Sequence, residues 1–197
     1  MNIQLLLVIM LGYLLGSLPF GYLVPRIWNI DIRKFGSGNI GATNVFRTLG
    51  PKAGVAVFAL DLAKGAVPTL LALQMTTDHW LIILTGVAAI LGHTFPVFMK
   101  FKGGRGAATG LGVLLVIAPD IFLGAVILVA LIILVTRYVS VASMLGSVSV
   151  TAAFYLLQRP LPYIIVAGSV TLLIILRHIP NIKRLLAGTE LKIGIKK

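Results

Sequence analysis

Apolar and polar positions separate along this chain into long blocks, with almost no short-period alternation. Runs of Leu, Ile, Val and Ala fill residues 3–24, 53–74, 80–99, 107–118, 121–136, 141–157 and 161–177. Such runs predict membrane-spanning helices, because in lipid each backbone N–H and C=O must be satisfied within the segment itself. Seven spans is the preferred count. The last four runs are short, at about 12 to 17 residues against about 20 for a full crossing. A five-span alternative therefore fuses 107–136 into one crossing and 141–177 into another. Pro119-Asp120 and Gln158-Arg159-Pro160 are turn signals that oppose the fusion. The opening stretch has no basic region and no small-residue cleavage site, so it reads as a first span and not as a signal peptide.

Composition agrees with this class. Hydrophobic residues make up 58% of 197 and charged residues 11%, with a mean hydropathy of +1.04. A soluble domain is nearer half apolar and a quarter charged. The expectation is an all-α polytopic membrane protein, a helix bundle forming a single domain over residues 1–197. There is no cysteine, which removes disulfides, thiolate metal sites and a thiol nucleophile.

Charge orients the bundle. Basic residues near span ends favour the cytoplasmic side. With seven spans, an outside N-terminus and a cytoplasmic C-terminus, 15 of the 17 Lys and Arg fall in cytoplasmic segments; Lys64 lies within a span and Arg159 on the opposite side. The net charge of +12 thus forms a skirt around lipid-embedded spans. It is not interleaved with aromatics on a soluble face, so nucleic acid is not the expected partner. Anionic headgroups or small anions fit better.

Three polar segments then fall on one side. "KFGSGNIGATNVFRTLG" (34–50) gathers Gly36, Ser37, Gly38, Asn39, Asn44 and Arg47. "GHTFPVFMKFKGGRGAATGLG" (92–112) holds His93, Lys102, Gly103, Gly104, Arg105 and Gly106. "RHIPNIKRLLAGTELKIG" (177–194) holds His178, Asn181 and Glu190. In the second segment, glycines let backbone N–H groups turn toward a ligand, and a helix predicted to start near Ala107 points its positive end the same way. Phosphate binding is one reading; a tight interfacial turn with cations on headgroups is the other. In the first segment, the glycines suit either close helix packing or a ligand, while Ser37, Asn39, Asn44 and Arg47 suit an oxygen-rich ligand. A short helix is predicted over 180–187, with Lys183 and Arg184 toward headgroups. His178 reads as an interfacial histidine or a functional one, and Glu190 as a salt-bridging or a catalytic acid. Asp61 and Lys64 share a helix face three residues apart. They read as a structural ion pair or as ligand contacts.

Several chemistries are excluded. There is no Walker loop, no G-x-S-x-G elbow and no metal-ligand spacing among His79, His93 and His178. The H-x-x-x-x-D signature of the commoner glycerolipid acyltransferases is missing, since Leu84, Phe98 and Lys183 follow the histidines at that spacing.

"GSGNIGATNVFR", "GHTFPVFMKFKGGRGAATGLG" and "HIPNIKRLLAGTE" together resemble the three signature segments of the bacterial acyl-phosphate:glycerol-3-phosphate acyltransferase family (PlsY). Many relatives carry Pro at the position of Ile40 and Lys at that of Arg105. The resemblance implies a seven-helix inner-membrane enzyme with its site on the cytoplasmic face. It would transfer an acyl group from acyl phosphate to the 1-hydroxyl of glycerol 3-phosphate, without acyl-CoA, cofactor or metal. The acyl phosphate would come from a separate phosphate acyltransferase. By the same resemblance, Ser37, Arg47, His178 and Asn181 serve activity. The second segment's glycines, Gly103, Gly104 and Gly106, are associated with acyl-phosphate binding and Glu190 with structural integrity, while Gly36, Gly38, Asn39, Asn44, His93, Lys102 and Arg105 are expected to bind substrate through their charge, side-chain donors or backbone. The proton of the attacking hydroxyl would go either to His178 or to a phosphate oxygen of the donor. The runner-up is a membrane carrier for phosphate or glycerol phosphate; a lipid-binding scaffold explains the basic skirt but not three donor-rich loops.

Overall fold

A computed structural model describes residues 3–194, and among these it contains helices and turns but no strand. Ten α-helices follow in order: α1 Ile3–Gly16, α2 Phe20–Arg26, α3 Ala42–Leu49, α4 Pro51–Met75, α5 His79–Thr94, α6 Ala107–Ile117, α7 Pro119–Thr136, α8 Val139–Leu156, α9 Leu161–Arg177 and α10 Ile179–Leu186. Single 3-10 turns occupy Ile32–Lys34 and Val97–Met99. Each predicted apolar segment overlaps one of α1 and α4 to α9. By length and composition, four segments are able to cross a membrane: Pro51–Met75, His79–Met99, Pro119–Thr136 and Val139–Leu156. Two bent pairs, α1 with α2 at 43° and α9 with α10 at 53°, raise this to six. α6 is apolar but shorter.

The sequence expectation needs correction in two places. The first span was expected to run unbroken over 3–24, yet the helix stops at Gly16 and restarts at Phe20. Pro19 is the cause, since it donates no N–H and drives Leu18 before it out of the helical region. The fused crossings of the five-span alternative are not continuous helices. Ala118 is extended (φ −155°) ahead of Pro119 at the start of α7. Gln158 is left-handed (φ 50°), two residues before Pro160, which flanks the start of α9.

The chain divides into two compact units, Met1–Ile117 and Ala118–Lys197. In the first, α1 packs on α4 and α5, and α4 on α3, α5 and α6. Small residues permit this. Gly16 rests on the Ala89 backbone, Gly65 on Thr109 and Gly112 on Leu62, all places where a side chain would collide with main chain. Without a hydrophobic drive between helices in lipid, such close approach is a main source of association. In the second unit, α8 packs against α7 and α9. The Thr151 and Thr171 hydroxyls meet at 2.9 Å, and Thr171 Oγ1 donates to Ser147 O at 2.8 Å.

Candidate functional site

The first polar segment is shaped from inside by one amide. Asn44, in α3, is 2% exposed. Its Nδ2 donates to the carbonyls of Ile32 (3.3 Å), Phe35 (3.0 Å) and Asn39 (3.0 Å), and its Oδ1 accepts from the Ser37 N–H (2.9 Å). Expected as a ligand donor, Asn44 is instead the tie that folds the loop, because its donors and its acceptor already serve backbone. Gly36 (φ 57°) must be glycine for two reasons: it is left-handed, and a Cβ would strike Asn44 Oδ1. The Ser37 hydroxyl, the Asn39 amide and Arg47 are the polar groups that Asn44 does not use. Arg47 lies one turn beyond Asn44 on α3, half-buried, with Nε shielded from solvent. Arg33 and Arg26 are engaged elsewhere: both pair with Asp31, at 2.7 and 3.5 Å. The Arg33 hydrogen bond holds the Asp31 carboxyl well below the usual carboxylate range.

The second segment lies across the end of α5. Lys100 (φ 51°) and Phe101 (φ 61°) are both left-handed and reverse the chain. The Gly104 N–H then donates to His93 O at 3.0 Å. A Cβ on Gly103 would overlap the His93 carbonyl, and one on Gly104 would overlap the His93 ring at Nε2. Gly106 (φ 84°) makes the turn into α6, which begins at Ala107 as predicted. Lys102 is exposed, Arg105 half-buried, and Gly104 and Gly106 are buried. The loop thus presents two cations beside the N-terminal turn of α6, an arrangement suited to an anion.

Beneath this loop sits a charged cluster. Lys64 Nζ lies 2.8 Å from Asp61 Oδ1 and donates to Leu18 O at 2.8 Å, the carbonyl exposed by the α1–α2 break. His93 Nδ1 faces the same Asp61 oxygen at 3.6 Å. His93 was expected to bind substrate, yet it is 6% exposed, enclosed between Asp61 and Gly104. Ile40 from the first polar segment and Pro96 from the second line the same small pocket as these three side chains. The two loops of this unit therefore meet around the α1–α2 break.

The third segment is organised within the second unit. Gly188 (φ 68°) ends α10 and turns the chain back, so that Glu190 returns to the helix it has just left. Its Oε1 accepts from Asn181 Nδ2 (2.6 Å) and Ser140 Oγ (2.8 Å), and its Oε2 from Arg184 Nε (2.7 Å). Burial would raise the Glu190 carboxyl, but the hydrogen bonds from Asn181, Ser140 and Arg184, with the Arg184 charge, hold it below its ordinary value. Arg184, expected to face headgroups, faces this carboxylate instead, because an unpaired buried charge is far costlier than a lost surface contact. Asn181 Oδ1 is buried with no hydrogen-bond partner among the described residues. His178 is 2% exposed, at the α9–α10 junction, with Nδ1 2.8 Å from Ile174 O. A carbonyl only accepts, so Nδ1 carries the proton there.

With this geometry in view, residues 6–188 match the family described as Glycerol-3-phosphate acyltransferase. The chain belongs to that family. The glycerol-3-phosphate acyltransferase of Aquifex aeolicus (strain VF5) is 43% identical over 186 residues, covering 94% of this chain and 97% of the relative. That of Listeria monocytogenes serovar 1/2a is 42% identical over 196 residues, 98% of each. The chain is also similar to crystal structures of PlsY, an integral membrane glycerol 3-phosphate acyltransferase. The glycerol 3-phosphate form matches at a TM-score of 0.94 and the lysophosphatidic acid form at 0.91, each at 42% identity over 97% of this chain and 96% of that one. As a member of the PlsY family, the chain is a multi-pass, all-helical membrane acyltransferase.

Some residues that build this acyltransferase were not readable as site residues. Ser140 supports Glu190 from 50 positions away, and Leu18 offers Lys64 its carbonyl from 46 away. Pro19 marked the break, where Leu18 O accepts from both Phe20 N and Lys64 Nζ. Nothing local to Ser140 marked its partner.

Proposed function

We propose that this protein transfers a fatty acyl group from acyl phosphate to the 1-hydroxyl of sn-glycerol 3-phosphate. The products are 1-acylglycerol 3-phosphate and inorganic phosphate. The observation that carries the reading is the match to the acyltransferase family over residues 6–188. The geometry supports it, because both substrates carry phosphate and the glycine loop at the head of α6 supplies Lys102, Arg105 and helix N–H groups for an anion. Ser37, Asn39 and Arg47 are the corresponding donors of the first segment, with Asn44 holding them in place.

In this reaction the glycerol oxygen bonds to the acyl carbon and the bond from that carbon to the phosphate oxygen breaks. Acyl phosphate is an activated anhydride, so the protein's main tasks are to bring the two substrates together and to stabilise the developing oxyanion. The proton of the attacking hydroxyl passes to a phosphate oxygen of the donor. His178 serves as a positioning group, in keeping with the anchoring of its Nδ1 on Ile174 O. Asn181 Oδ1 is an acceptor for a substrate hydroxyl. No cofactor or metal takes part. The enzyme works in the bacterial inner membrane with seven spans, its N-terminus outside and its C-terminus and three loops cytoplasmic. It draws acyl phosphate from a separate phosphate acyltransferase.

Purified protein in liposomes tests this directly. With acyl phosphate and glycerol 3-phosphate it should form 1-acylglycerol 3-phosphate without net phosphate uptake, and acyl-CoA should not replace acyl phosphate. Product from acyl-CoA alone would overturn the donor. Phosphate uptake without acylated product would make the chain a carrier.

A further inference from the structure

Three titratable side chains lie buried together in the first unit, and the acyl transfer proposed above assigns none of them a step. Asp61 is 1%, Lys64 5% and His93 6% exposed. Lys64 is fully engaged by Asp61 Oδ1, by Leu18 O and by the face of Phe20, whose ring centre is 5.6 Å from Nζ. One aspartate beside one lysine already neutralises the charge. The contact of His93 Nδ1 with the same carboxylate, at 3.6 Å, adds nothing to that neutralisation. What it does is wall in the imidazole: Nδ1 lies against the carboxylate at 3.6 Å, beyond hydrogen-bond reach, and both atoms are buried. The opposite edge of the ring then lies under Gly104, where a Cβ would overlap Nε2, Cε1 and Cδ2. The Gly104 N–H also donates to the His93 carbonyl at 3.0 Å. One residue therefore holds the glycine loop at two points, and α4 holds the ring of that residue.

We infer that Asp61 and His93 are positioning residues that brace the glycine loop, and that Gly104 is glycine because the imidazole occupies the space of a side chain. Asp61 backs one edge of the His93 ring, and His93 sets the height of the Gly104 backbone. Lys64, itself tied to the Leu18 carbonyl, holds Asp61 in place. The more familiar reason for glycine in such a loop, room for the ligand against the backbone, makes a different prediction. Under that reason the neighbour beneath the loop is irrelevant. The kinetic arm below rests on the acyl-transfer reading; the thermal arm does not.

The test is a double-mutant cycle in the full-length purified protein. Gly104→Ala should lower kcat/KM by about 100-fold, the scale of a misplacement near 1 Å. His93→Ala removes the ring, so His93→Ala/Gly104→Ala should recover at least about tenfold over Gly104→Ala alone. A double variant no better than Gly104→Ala overturns the inference and leaves the glycine to the ligand. A second pair, Asp61→Leu/Lys64→Met, removes both charges so that neither is stranded. It should raise KM for the phosphate substrate held by the loop several-fold, with kcat within about twofold. An unchanged KM makes the ion pair purely structural and also overturns the inference. Thermal unfolding of the same cycle needs no turnover: Gly104→Ala should lower the midpoint strongly in the parent and much less in His93→Ala. If Gly104→Ala does not accumulate, recovery of folded yield in the double variant is the equivalent measurement. Additive thermal effects overturn the brace even if the protein is a fully active acyltransferase. Thermal coupling in a protein that forms no acylated product overturns the acyl-transfer reading alone.

Discussion

Glu190→Ala isolates the last polar segment from its support, and its cost follows from the geometry. Ser140 Oγ and Asn181 Nδ2, both on buried residues, lose their acceptor. Each buried polar group left unsatisfied costs about 1–3 kcal/mol. The Arg184 side chain is 30% exposed and regains water, so the loss of its ion pair adds only about 0–1 kcal/mol. The expected total is roughly 2–7 kcal/mol, a fall in unfolding midpoint on the order of 10 °C for a chain of this length. Glu190→Gln keeps an acceptor for Ser140 and Asn181 but turns an amide toward Arg184, so its loss should be about 1–2 kcal/mol. The carboxyl of Glu190 is held below its ordinary value of 4.5 by Asn181, Ser140 and Arg184 against the opposing effect of burial. Between the folded and unfolded values the unfolded chain binds more protons, so stability rises with pH in that window. The contribution is complete above 4.5 and disappears as pH falls through the folded value. Thermal unfolding of the purified protein, followed by intrinsic fluorescence from pH 7 downward, should show wild type and Glu190→Gln converging in acid. Glu190→Ala melting within a degree of wild type, or a gap to Glu190→Gln that does not narrow, would refute this account of Glu190.

Two further outcomes test the site and its sidedness. His178→Asn places an amide N–H where Nδ1 donates to Ile174 O, and should keep the rate within about tenfold, while a general base would lose 10²–10⁴-fold. Turnover abolished in folded His178→Asn that still binds acyl phosphate makes His178 the base, and His178→Gln, whose amide reaches the Nε2 position, separates the two nitrogens. Single cysteines at Thr48, Ala108 and Thr189 in this cysteine-free chain should label only from the cytoplasm, and one at Gln158 only from outside. Any reversed label overturns the seven-span topology.

What could be read in the sequence follows from the physics of each signal. Lipid exposure writes itself into composition: Leu134 and Val135 of α7 are 75% and 83% exposed, and only a lipid surface suits them. The Asp61–Lys64 pair was legible because helical spacing brings residues three apart together. The start of α6 was legible from Gly106. Asn44 was misread, because its partners are backbone carbonyls that any residue type could supply. The environment of His93 was hidden for the same reason that makes it informative. It is enclosed by an aspartate on another helix and by a glycine whose missing side chain leaves no mark of its own. Glu190 was narrowed only to a salt bridge or a catalytic role, since its contacts depend on the turn at Gly188 and on a serine 50 residues away.

The interruption between α1 and α2 bears on how the chain enters the bilayer. A lysine at mid-membrane opposes insertion by about 2.5–3.5 kcal/mol. Lys64 carries its counter-charge three residues earlier on the same helix, so α4 leaves the insertion machinery as a nearly neutral rod. Its remaining polar demand is met by Leu18 O, a carbonyl that an unbroken first helix would have consumed. Synthesis runs from the N-terminus, so the segment that carries this acceptor is made before the one that carries the ammonium. The broken first helix is thus a socket whose acceptor is synthesised before its donor.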